Sequence, residues 1–286
     1  MSAAALADPV PAFDQISARN FERLARYIND YSGIKMPSSK RTMLEGRLRR
    51  RLRHTGHATF DAYCDYLFRD DGLQAEAVYL IDAVTTNKTD FFREPKHFEY
   101  MAEKVLPELA SSGVRRIRAW SAACSTGAEP YTMAMVMQDF ADNQGGPDYQ
   151  IVGTDLSTDV LEAAHRGVYA SEMVAPVPAE MKRRWVRVAK DPQRREIRIH
   201  PTLRAKLALA RLNLMDDSYA AVGDPFDIIM CRNVLIYFDK PTQAQVLTRL
   251  CERLKRGGHL FIGHSESITG IDLPVTTVAN TVFRKT

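Results

Sequence analysis

Apolar positions change their spacing along the chain, and the change predicts two kinds of region. Between Ser17 and Val84 they recur at helical intervals, which predicts helices over about 17–32, 40–54, 59–68 and 73–84. From Arg116 onward, short apolar runs of strand length alternate with helical stripes, as in a doubly wound sheet. The pattern therefore predicts a small all-α region followed by an α/β domain.

The α/β region opens with a strand, a turn, a helix and a second strand, from Arg116 to Asp155. The turn, Ser121–Gly127, has seven residues in a row without a bulky side chain, so a ligand can approach its backbone. An acid after the second strand can accept hydrogen bonds from ribose hydroxyls. The turn is not G-x-G-x-x-G, and Glu129 stands at the helix entrance. These features suit a cationic ligand without phosphate, such as S-adenosylmethionine; the alternative is a tight turn that binds nothing.

The remaining pattern continues the sheet and interrupts it once. Alternation over Trp185–Val188 and Glu196–Ile199 predicts an antiparallel hairpin, inserted in the parallel fold at about 170–205. The later elements are predicted as a strand over 207–214, a strand over 226–230, a helix over 241–254 ended by Gly257 and Gly258, a strand over 259–263 and an antiparallel edge strand over 276–284.

Composition narrows the class of protein. The chain has 286 residues, 45% of them hydrophobic, which allows one large domain or two smaller ones. No apolar run approaches the ~20 residues of a membrane span, and residues 1–11 do not resemble a secretory signal, so a flexible leader over 1–16 and a cytoplasmic protein are expected. The four cysteines are widely spaced without a C-x-x-C pair, which argues against a metal site or a disulfide framework.

Charge is informative only where it is concentrated. The net charge of +4 is too mild to indicate nucleic acid. Like charges nevertheless crowd the predicted helix over 40–54, at a cost in helix stability. A solvated helix face would explain them, and so would an acidic partner, either nucleic acid or a helical bundle. The candidate contact residues are Arg47, Arg49, Arg50, Arg51 and Arg53.

Polar residues recur where the predicted strands end, and in the linker over 85–95. Asn213 and Leu214 lie at the end of the strand predicted over 207–214, where a side-chain amide and a backbone N–H could read adenine. Arg232, Asn233 and Tyr237 follow another strand. The linker could fold over the cofactor opening through Asn87, Thr89 and Arg93, or its aromatic residues could simply anchor it to the core. His259 and His264 are interpreted as core or surface residues, because neither has a partner at the spacing of a triad or metal site.

Three stretches carry a family resemblance. TTNKTDFFRE at 85–94, WSAACSTGAEPY at 120–131 and CRNVLIYFD at 231–239 together resemble the bacterial chemotaxis receptor methyltransferases, the CheR family. The resemblance spans nearly the whole chain from Phe21. It implies a helical domain over 17–84, a linker over 85–95, and an S-adenosylmethionine-binding, Rossmann-like domain over 96–286 with an inserted antiparallel β-subdomain.

The resemblance also implies roles. Glu129 would face the ammonium of S-adenosylmethionine, Asp155 the ribose, and Asn213 with Leu214 the adenine. The full set of cofactor contacts would be Asn87, Thr89, Arg93, Glu129, Asp155, Asn213, Leu214, Arg232 and Asn233. The family esterifies receptor glutamates, giving S-adenosylhomocysteine. No general base is needed, because a glutamate of pKa ~4.3 is already ionised. Tyr237 and Arg232 are the candidates for the substrate side.

The expected partner is the cytoplasmic helical bundle of chemoreceptors, approached by a monomer that neither enters the membrane nor binds nucleic acid. Family members that dock a receptor-tail pentapeptide carry a glycine-rich loop in the inserted hairpin, whereas residues 189–195 here contain no glycine. We therefore expect independence from such a tether. Two alternatives remain: a methyltransferase with another substrate, and a receptor-array module that senses S-adenosylmethionine without turnover.

Overall fold

The computed structural model describes residues 14–191 and 193–286. The first thirteen residues of the leader expected over 1–16 lie outside this part of the chain. The chain divides into two compact units, with the division between Thr86 and Asn87. None of the helices among the described residues has the length and apolar character needed to cross a bilayer.

The first unit is helical, as the spacing predicted. Its helices are α1 (Ala18–Ser32), α2 (Arg41–Thr55), α3 (Phe60–Arg69) and α4 (Leu73–Val84). Local sequence sets the ends: the Ser17 side chain accepts from the N–H of Asn20 at the start of α1, and Gly33 ends it at φ 72°. The predicted bounds differ from the observed ones by one residue at several ends, where caps decide the boundary.

The second unit contains a seven-stranded mixed sheet. Its strands are β1 (Arg116–Ala122), β2 (Asp148–Asp155), β6 (Leu207–Arg211), β7 (Phe226–Cys231), β8 (Leu254–Ile262), β9 (Val275–Ala279) and β10 (Val282–Lys285). The strand order is β6-β2-β1-β7-β8-β10-β9. All pairs from β6 to β8 are parallel, and β10 is antiparallel to both of its neighbours. The order reverses beside β1, which places a ligand crevice at the carboxyl ends of β1, β2 and β7.

Both faces of this sheet are covered. In β7, Ile228 and Met230 pack into one apolar cluster, and Ile229 and Cys231 pack into another. The helices are α5 (Lys96–Tyr100), α6 (Leu106–Ser111), α7 (Ala128–Gln144), α8 (Thr158–Arg166), α9 (Ala179–Trp185), α10 (Pro201–Arg204) and α11 (Lys240–Glu252), with a π-helical stretch, Met101–Val105, joining α5 to α6. A doubly wound α/β fold was predicted, and it is confirmed.

The inserted antiparallel sheet is also confirmed. It has the order β3-β5-β4, formed by β3 (Val168–Ala170), β4 (Val186–Val188) and β5 (Glu196–Ile199). The hairpin of β4 and β5 was predicted from its alternation. The third strand was not, because β3 has only three residues and no periodicity to detect.

Near the C-terminus, the predicted end of a helix and the predicted number of edge strands were wrong. The helix expected over 241–254 ends at Glu252, and Gly257 and Gly258, which were expected to stop it, lie inside β8. A bulge explains the difference, because the β7–β8 register shifts there and Gly257 has φ 77°. The single edge strand expected over 276–284 is a hairpin of β9 and β10, which turns at Thr281 with φ 55°.

Candidate active site

The turn after β1 brings its backbone into close contact with neighbouring elements. Ala123, Ser125 and Gly127 all have positive φ, at 59°, 51° and 92°. A Cβ added to Gly127 would lie 2.8 Å from the Cβ of Ala164 and 3.0 Å from the hydroxyl oxygen of Tyr169. Positive φ in non-glycine residues stores strain and is concentrated at functional sites. The turn is thus a backbone surface held in one conformation by its surroundings.

Asp155 is fixed at the end of β2 by two backbone N–H groups. Ser125 N–H donates to Oδ2 at 2.8 Å, and Ser157 N–H donates to Oδ1 at 2.9 Å. The residue is 8% exposed. Each carboxylate oxygen can accept more than one hydrogen bond, so the group can still accept from hydroxyls of a ligand. Asp155 therefore ties the β1 turn to the start of α8 and faces the crevice end of the sheet.

Glu129, in the first turn of α7, belongs to a buried charge network that continues to Glu94. Its Oε1 accepts from the Ser121 hydroxyl at 2.6 Å, and its Oε2 accepts from Nη1 of Arg232 at 2.9 Å. Nη2 of Arg232 donates to Glu94 at 2.9 Å and to the carbonyl of Arg93. The Arg232 side chain is 1% exposed, against 12% for Glu129 and 15% for Glu94. One guanidinium thus lies between two carboxylates at the carboxyl end of β7.

Glu94 is a charged residue of this network that the sequence analysis did not identify. Its Oε1 accepts from Nδ2 of Asn233 at 3.0 Å. Burial by itself raises the pKa of Glu94, but hydrogen bonds from Asn233 and Arg232, with the Arg232 charge, lower it to about 2. Glu94 and Asn233 both have positive φ, at 56° and 60°. Glu94 is therefore ionised at neutral pH and is held in a strained backbone.

Glu266 organises the loop that follows β7. It accepts from the N–H groups of Asn233 at 3.0 Å, Leu235 at 2.8 Å and Gly263 at 2.6 Å. Burial raises the pKa of Glu266, although these backbone donors act in the opposite direction. The loop contains a 3₁₀ turn, Leu235–Tyr237, in which Tyr237 is half-buried. A single buried carboxylate thus joins this loop to the end of β8.

The linker residues lie beside the β1 turn. The carbonyl of Asn87 accepts from the Ser125 hydroxyl at 2.8 Å. Arg93 donates through Nη1 to the carbonyl of Lys88 at 3.1 Å, and its own carbonyl accepts from Arg232. Thr89 is half-buried between these points. The backbone carbonyl of Asn87 is therefore bonded to the β1 turn, and that of Arg93 is bonded to Arg232 at the end of β7.

The segment after β6 has its own local bonds. Oδ1 of Asn213 accepts from Met215 N–H at 3.0 Å, and the carbonyl of Leu214 accepts from the Tyr219 hydroxyl at 2.6 Å. The segment adjoins Asp155 directly, because Leu212 N–H donates to the Asp155 carbonyl at 3.0 Å. The strand predicted over 207–214 ends at Arg211, so Asn213 and Leu214 lie in the segment that follows it, next to Asp155, and not in the strand itself.

Hydrogen bonds connect some of the predicted site residues into two groups. Glu129, Arg232 and Asn233 form one network, and Asp155 joins Asn87 through Ser125. Ser121, Ser125, Glu94 and Glu266 were missed. Glu94 directly follows Arg93 in the TTNKTDFFRE run, which was the available signal, whereas the distant partner of Glu266 leaves no local pattern.

The histidines and cysteines near the site have the surroundings of structural residues and not of metal ligands or nucleophiles. Among the described residues, Glu94, His97 and His264 bring possible metal-ligand atoms within 4.8 Å of one another. The Glu94 carboxylate is already engaged by Arg232 and Asn233, and burial together with the Arg232 charge lowers the pKa of His97 to about 4. Burial also raises the pKa of the Cys124 and Cys231 thiols well above the ordinary value.

The arginines of α2 differ among themselves. Arg47 donates to the carbonyls of Val84 and Thr85, at 2.5 and 2.7 Å. Arg51 forms a bidentate salt bridge with Glu76, with N–O distances of 2.6 and 3.1 Å. Arg49 donates to the carbonyl of Asp14 at 3.1 Å, and its guanidinium lies 5.4 Å from the ring centre of Phe60. Arg50 and Arg53 are exposed. Three of the five candidate contact residues thus hold the helical unit together.

The site fits S-adenosylmethionine in the chemistry of its groups. A carboxylate fixed by two N–H groups can accept from a ribose, a second carboxylate beside a cation can receive an ammonium, and a turn built of small residues leaves its backbone open to close approach. Fold and site together define an S-adenosylmethionine-dependent methyltransferase.

Comparison with known proteins identifies the family. The model for the CheR methyltransferase SAM-binding domain matches residues 87–283, and that for the CheR methyltransferase all-alpha domain matches residues 19–85. The chain belongs to the CheR methyltransferase family. Its cofactor is S-adenosylmethionine.

Relatives named chemotaxis protein methyltransferase match nearly end to end. The Klebsiella aerogenes protein is 39% identical over 94% of this chain and 90% of its own length. The Escherichia coli K12 protein is 36% identical over 94% of this chain and 91% of its own length. The Borreliella burgdorferi protein is 34% identical over 89% of this chain and 90% of its own length.

Proposed function

We propose that this protein methylates glutamate side chains on the cytoplasmic helical bundle of bacterial chemoreceptors, forming glutamate methyl esters. The observation that carries the proposal is the match of both units to relatives named chemotaxis protein methyltransferases. The protein would act as a monomer in the cytoplasm, without entering the membrane or binding nucleic acid. Bound S-adenosylmethionine would supply a methyl group already activated on a sulfonium.

The cofactor would be held by residues at the carboxyl ends of the strands. Asp155 would accept from the ribose hydroxyls, and Glu129 would receive the ammonium. Asn213 and Leu214 would contact the adenine. Support for the first two comes from carboxylates whose positions are fixed by backbone and side-chain donors. The linker residues Asn87, Thr89 and Arg93, with Arg232 and Asn233, would complete the pocket.

The substrate side of the site would be organised by Tyr237 more than by Arg232. Arg232 is buried and already donates to two carboxylates and a carbonyl, which leaves it poorly placed to receive a third carboxylate from outside. Tyr237 is half-buried on the loop held by Glu266. Its hydroxyl could orient the incoming glutamate at the mouth of the crevice.

The reaction would need orientation and no proton transfer from the nucleophile. A receptor glutamate with a pKa of ~4.3 is ionised at neutral pH, so no base has to act on it. Glu94 and Glu129 are both hydrogen-bonded to Arg232, and His97 is held neutral mainly by burial. The chain would contribute by aligning the carboxylate with the methyl carbon, which is worth several kcal/mol at near-attack distance.

The ester product provides the test. The full chain is incubated with S-adenosylmethionine labelled on the methyl group and with a purified receptor cytoplasmic fragment, and the protein is then treated with base. A glutamate ester releases its label as volatile methanol, whereas N-methyl groups do not. Label that stays on the receptor through base treatment would refute ester formation. Cofactor binding without transfer to any receptor fragment would favour another substrate or a sensor.

The receptor-tail tether would not be required. The β4–β5 loop turns without glycine: Oδ1 of Asp191 accepts from Gln193 N–H at 3.0 Å, and the Asp191 carbonyl accepts from Arg194 N–H at 3.1 Å. Titration of the full chain with a receptor-tail pentapeptide in a calorimeter should give no measurable heat of binding. Tight binding of the peptide would contradict this proposal.

A further inference from the structure

Arg232 and its two carboxylate partners do not balance in charge. Its guanidinium is buried and donates to Glu129 at 2.9 Å and to Glu94 at 2.9 Å, so two carboxylates share one cation. The trio carries one net negative charge. His97 Nδ1 also lies 3.5 Å from a carboxylate oxygen of Glu94, but burial and the Arg232 charge lower the pKa of His97 to about 4, so His97 is neutral at pH 7. Among the described residues, the salt bridges that bring a positive charge to either glutamate are therefore those of Arg232. A buried excess charge is costly unless something compensates for it. A cationic ligand group beside Glu129 would compensate.

We propose that Glu94 is a positioning residue that keeps Glu129 available for the ammonium of the cofactor. This inference rests on the proposed contact between Glu129 and that ammonium. Glu94 holds one edge of the guanidinium, through Nη2, so that only Nη1 is donated to Glu129. Without the Glu94 charge, the Arg93 carbonyl is the remaining acceptor for Nη2, and a neutral carbonyl competes less well than a carboxylate for a guanidinium, so Arg232 can turn both of its terminal nitrogens to Glu129. A bidentate pair of that kind neutralises the carboxylate that the ammonium needs.

The surroundings of Glu94 support a role in the site. Its side chain accepts from both Arg232 and Asn233, which makes it the link between the guanidinium and the β7 loop. Its backbone has φ 56°, a left-handed conformation that is strained for a residue other than glycine. Phe98 lies under the same guanidinium, 5.3 Å from its carbon to the ring centre. These contacts restrict Arg232 to one orientation.

The test uses two ligands that differ only at the amino group. S-adenosylhomocysteine carries it, and the deamino analogue has hydrogen in its place. Isothermal titration calorimetry of the full chain gives the Kd of each ligand for wild type, Glu94→Gln and Glu129→Gln. Gln at position 94 keeps an acceptor for Asn233 and removes the charge. We expect Glu94→Gln to raise the Kd of S-adenosylhomocysteine about 30-fold, and to leave that of the deamino analogue unchanged within about twofold.

A matched control and a second variant keep the result interpretable. The control is Glu99→Gln. Glu99 is an exposed glutamate of α5 that pairs with Lys96, so its replacement should change neither Kd. If Glu94→Gln does not fold, Glu94→Asp carries the test, because it withdraws the carboxylate from Arg232 by one methylene. It should also weaken only the ligand that has the amino group, by a smaller factor.

The outcomes separate this inference from the cofactor assignment. If Glu129→Gln weakens both ligands equally, the proposed contact between Glu129 and the ammonium is wrong. If Glu129→Gln is selective for the amino ligand and Glu94→Gln leaves its Kd unchanged, the inference about Glu94 is overturned and the assignment stands. Equal weakening of both ligands by Glu94→Gln would also overturn it, because that pattern indicates a structural role alone.

Discussion

Gly127 shows how little space the turn after β1 leaves for a side chain. It has φ 92°, and a Cβ there would lie 2.8 Å from the Cβ of Ala164. We expect Gly127→Ala to lower the free energy of unfolding by about 2 kcal/mol or more, from backbone strain and overpacking together. Urea denaturation measures it. Gly46→Ala is the control: nothing lies within 4 Å of its added Cβ, so this helix substitution should stabilise by up to about 1 kcal/mol.

Glu94 also predicts a pH dependence of stability. Its pKa, about 2, lies below that of a glutamate in the unfolded chain, ~4.3, so its charge contributes stability above the unfolded value. That contribution is lost as pH falls from the unfolded pKa towards 2. The difference in unfolding free energy between wild type and Glu94→Gln should be constant from pH 7 to 5 and shrink below about pH 4. A difference that stays constant down to pH 3 would contradict the lowered pKa.

Among the elements, the loop after β7 depends on one carboxylate. Glu266 accepts from three N–H groups at the ends of β7 and β8. In Glu266→Gln the amide nitrogen must face at least one of these donors, which should cost about 1–3 kcal/mol of unfolding free energy. Chemical denaturation measures the cost. Glu252→Gln, at an exposed position in α11, should stay within about 0.5 kcal/mol of wild type.

At the same scale, the sequence predicted elements well where local pattern decides them. The four helices of the first unit and the strands before and after the β1 turn were predicted because their periodicity and caps are local. The predicted end of α11 was wrong because Lys255, Arg256 and two glycines resemble a helix C-terminus. In the structure, Leu254 already belongs to β8 and pairs with Phe226 on the neighbouring strand β7. Pairing between distant strands is invisible to a local pattern.

For the site, residue types and strand ends were predictable, whereas contacts were not. Asp155 and Glu129 could be found from their positions after a strand and at a helix entrance. The partnership of Arg232 with Glu94, 138 positions apart, could not be, nor could the positive φ of Glu94 and Asn233. Those features depend on which strands become neighbours, and that is set by the whole sheet.

Across the whole molecule, charge should govern encounter with an acidic receptor. Of the α2 arginines, Arg50 and Arg53 are the exposed pair. Replacing both with Glu should raise the KM for a receptor fragment about tenfold at low salt, with little change in kcat, and the effect should shrink in 0.5 M salt. Replacing the exposed Lys240 and Arg256 with Glu changes the net charge equally and serves as the control. Equal effects of the two pairs would contradict a docking role for α2.

The most direct measurement is the initial rate of base-labile methyl transfer to a receptor fragment as the S-adenosylmethionine concentration is varied. It compares wild type with Asp155→Asn, and with Asp272→Asn as an exposed control. Asp155→Asn places an amide against the N–H groups of Ser125 and Ser157. We expect its KM for S-adenosylmethionine to rise at least about tenfold, since hydrogen bonds to a buried charge are worth roughly 1.5–3 kcal/mol. Wild-type kinetics in Asp155→Asn, or wild-type transfer that leaves no base-labile label, would contradict the account.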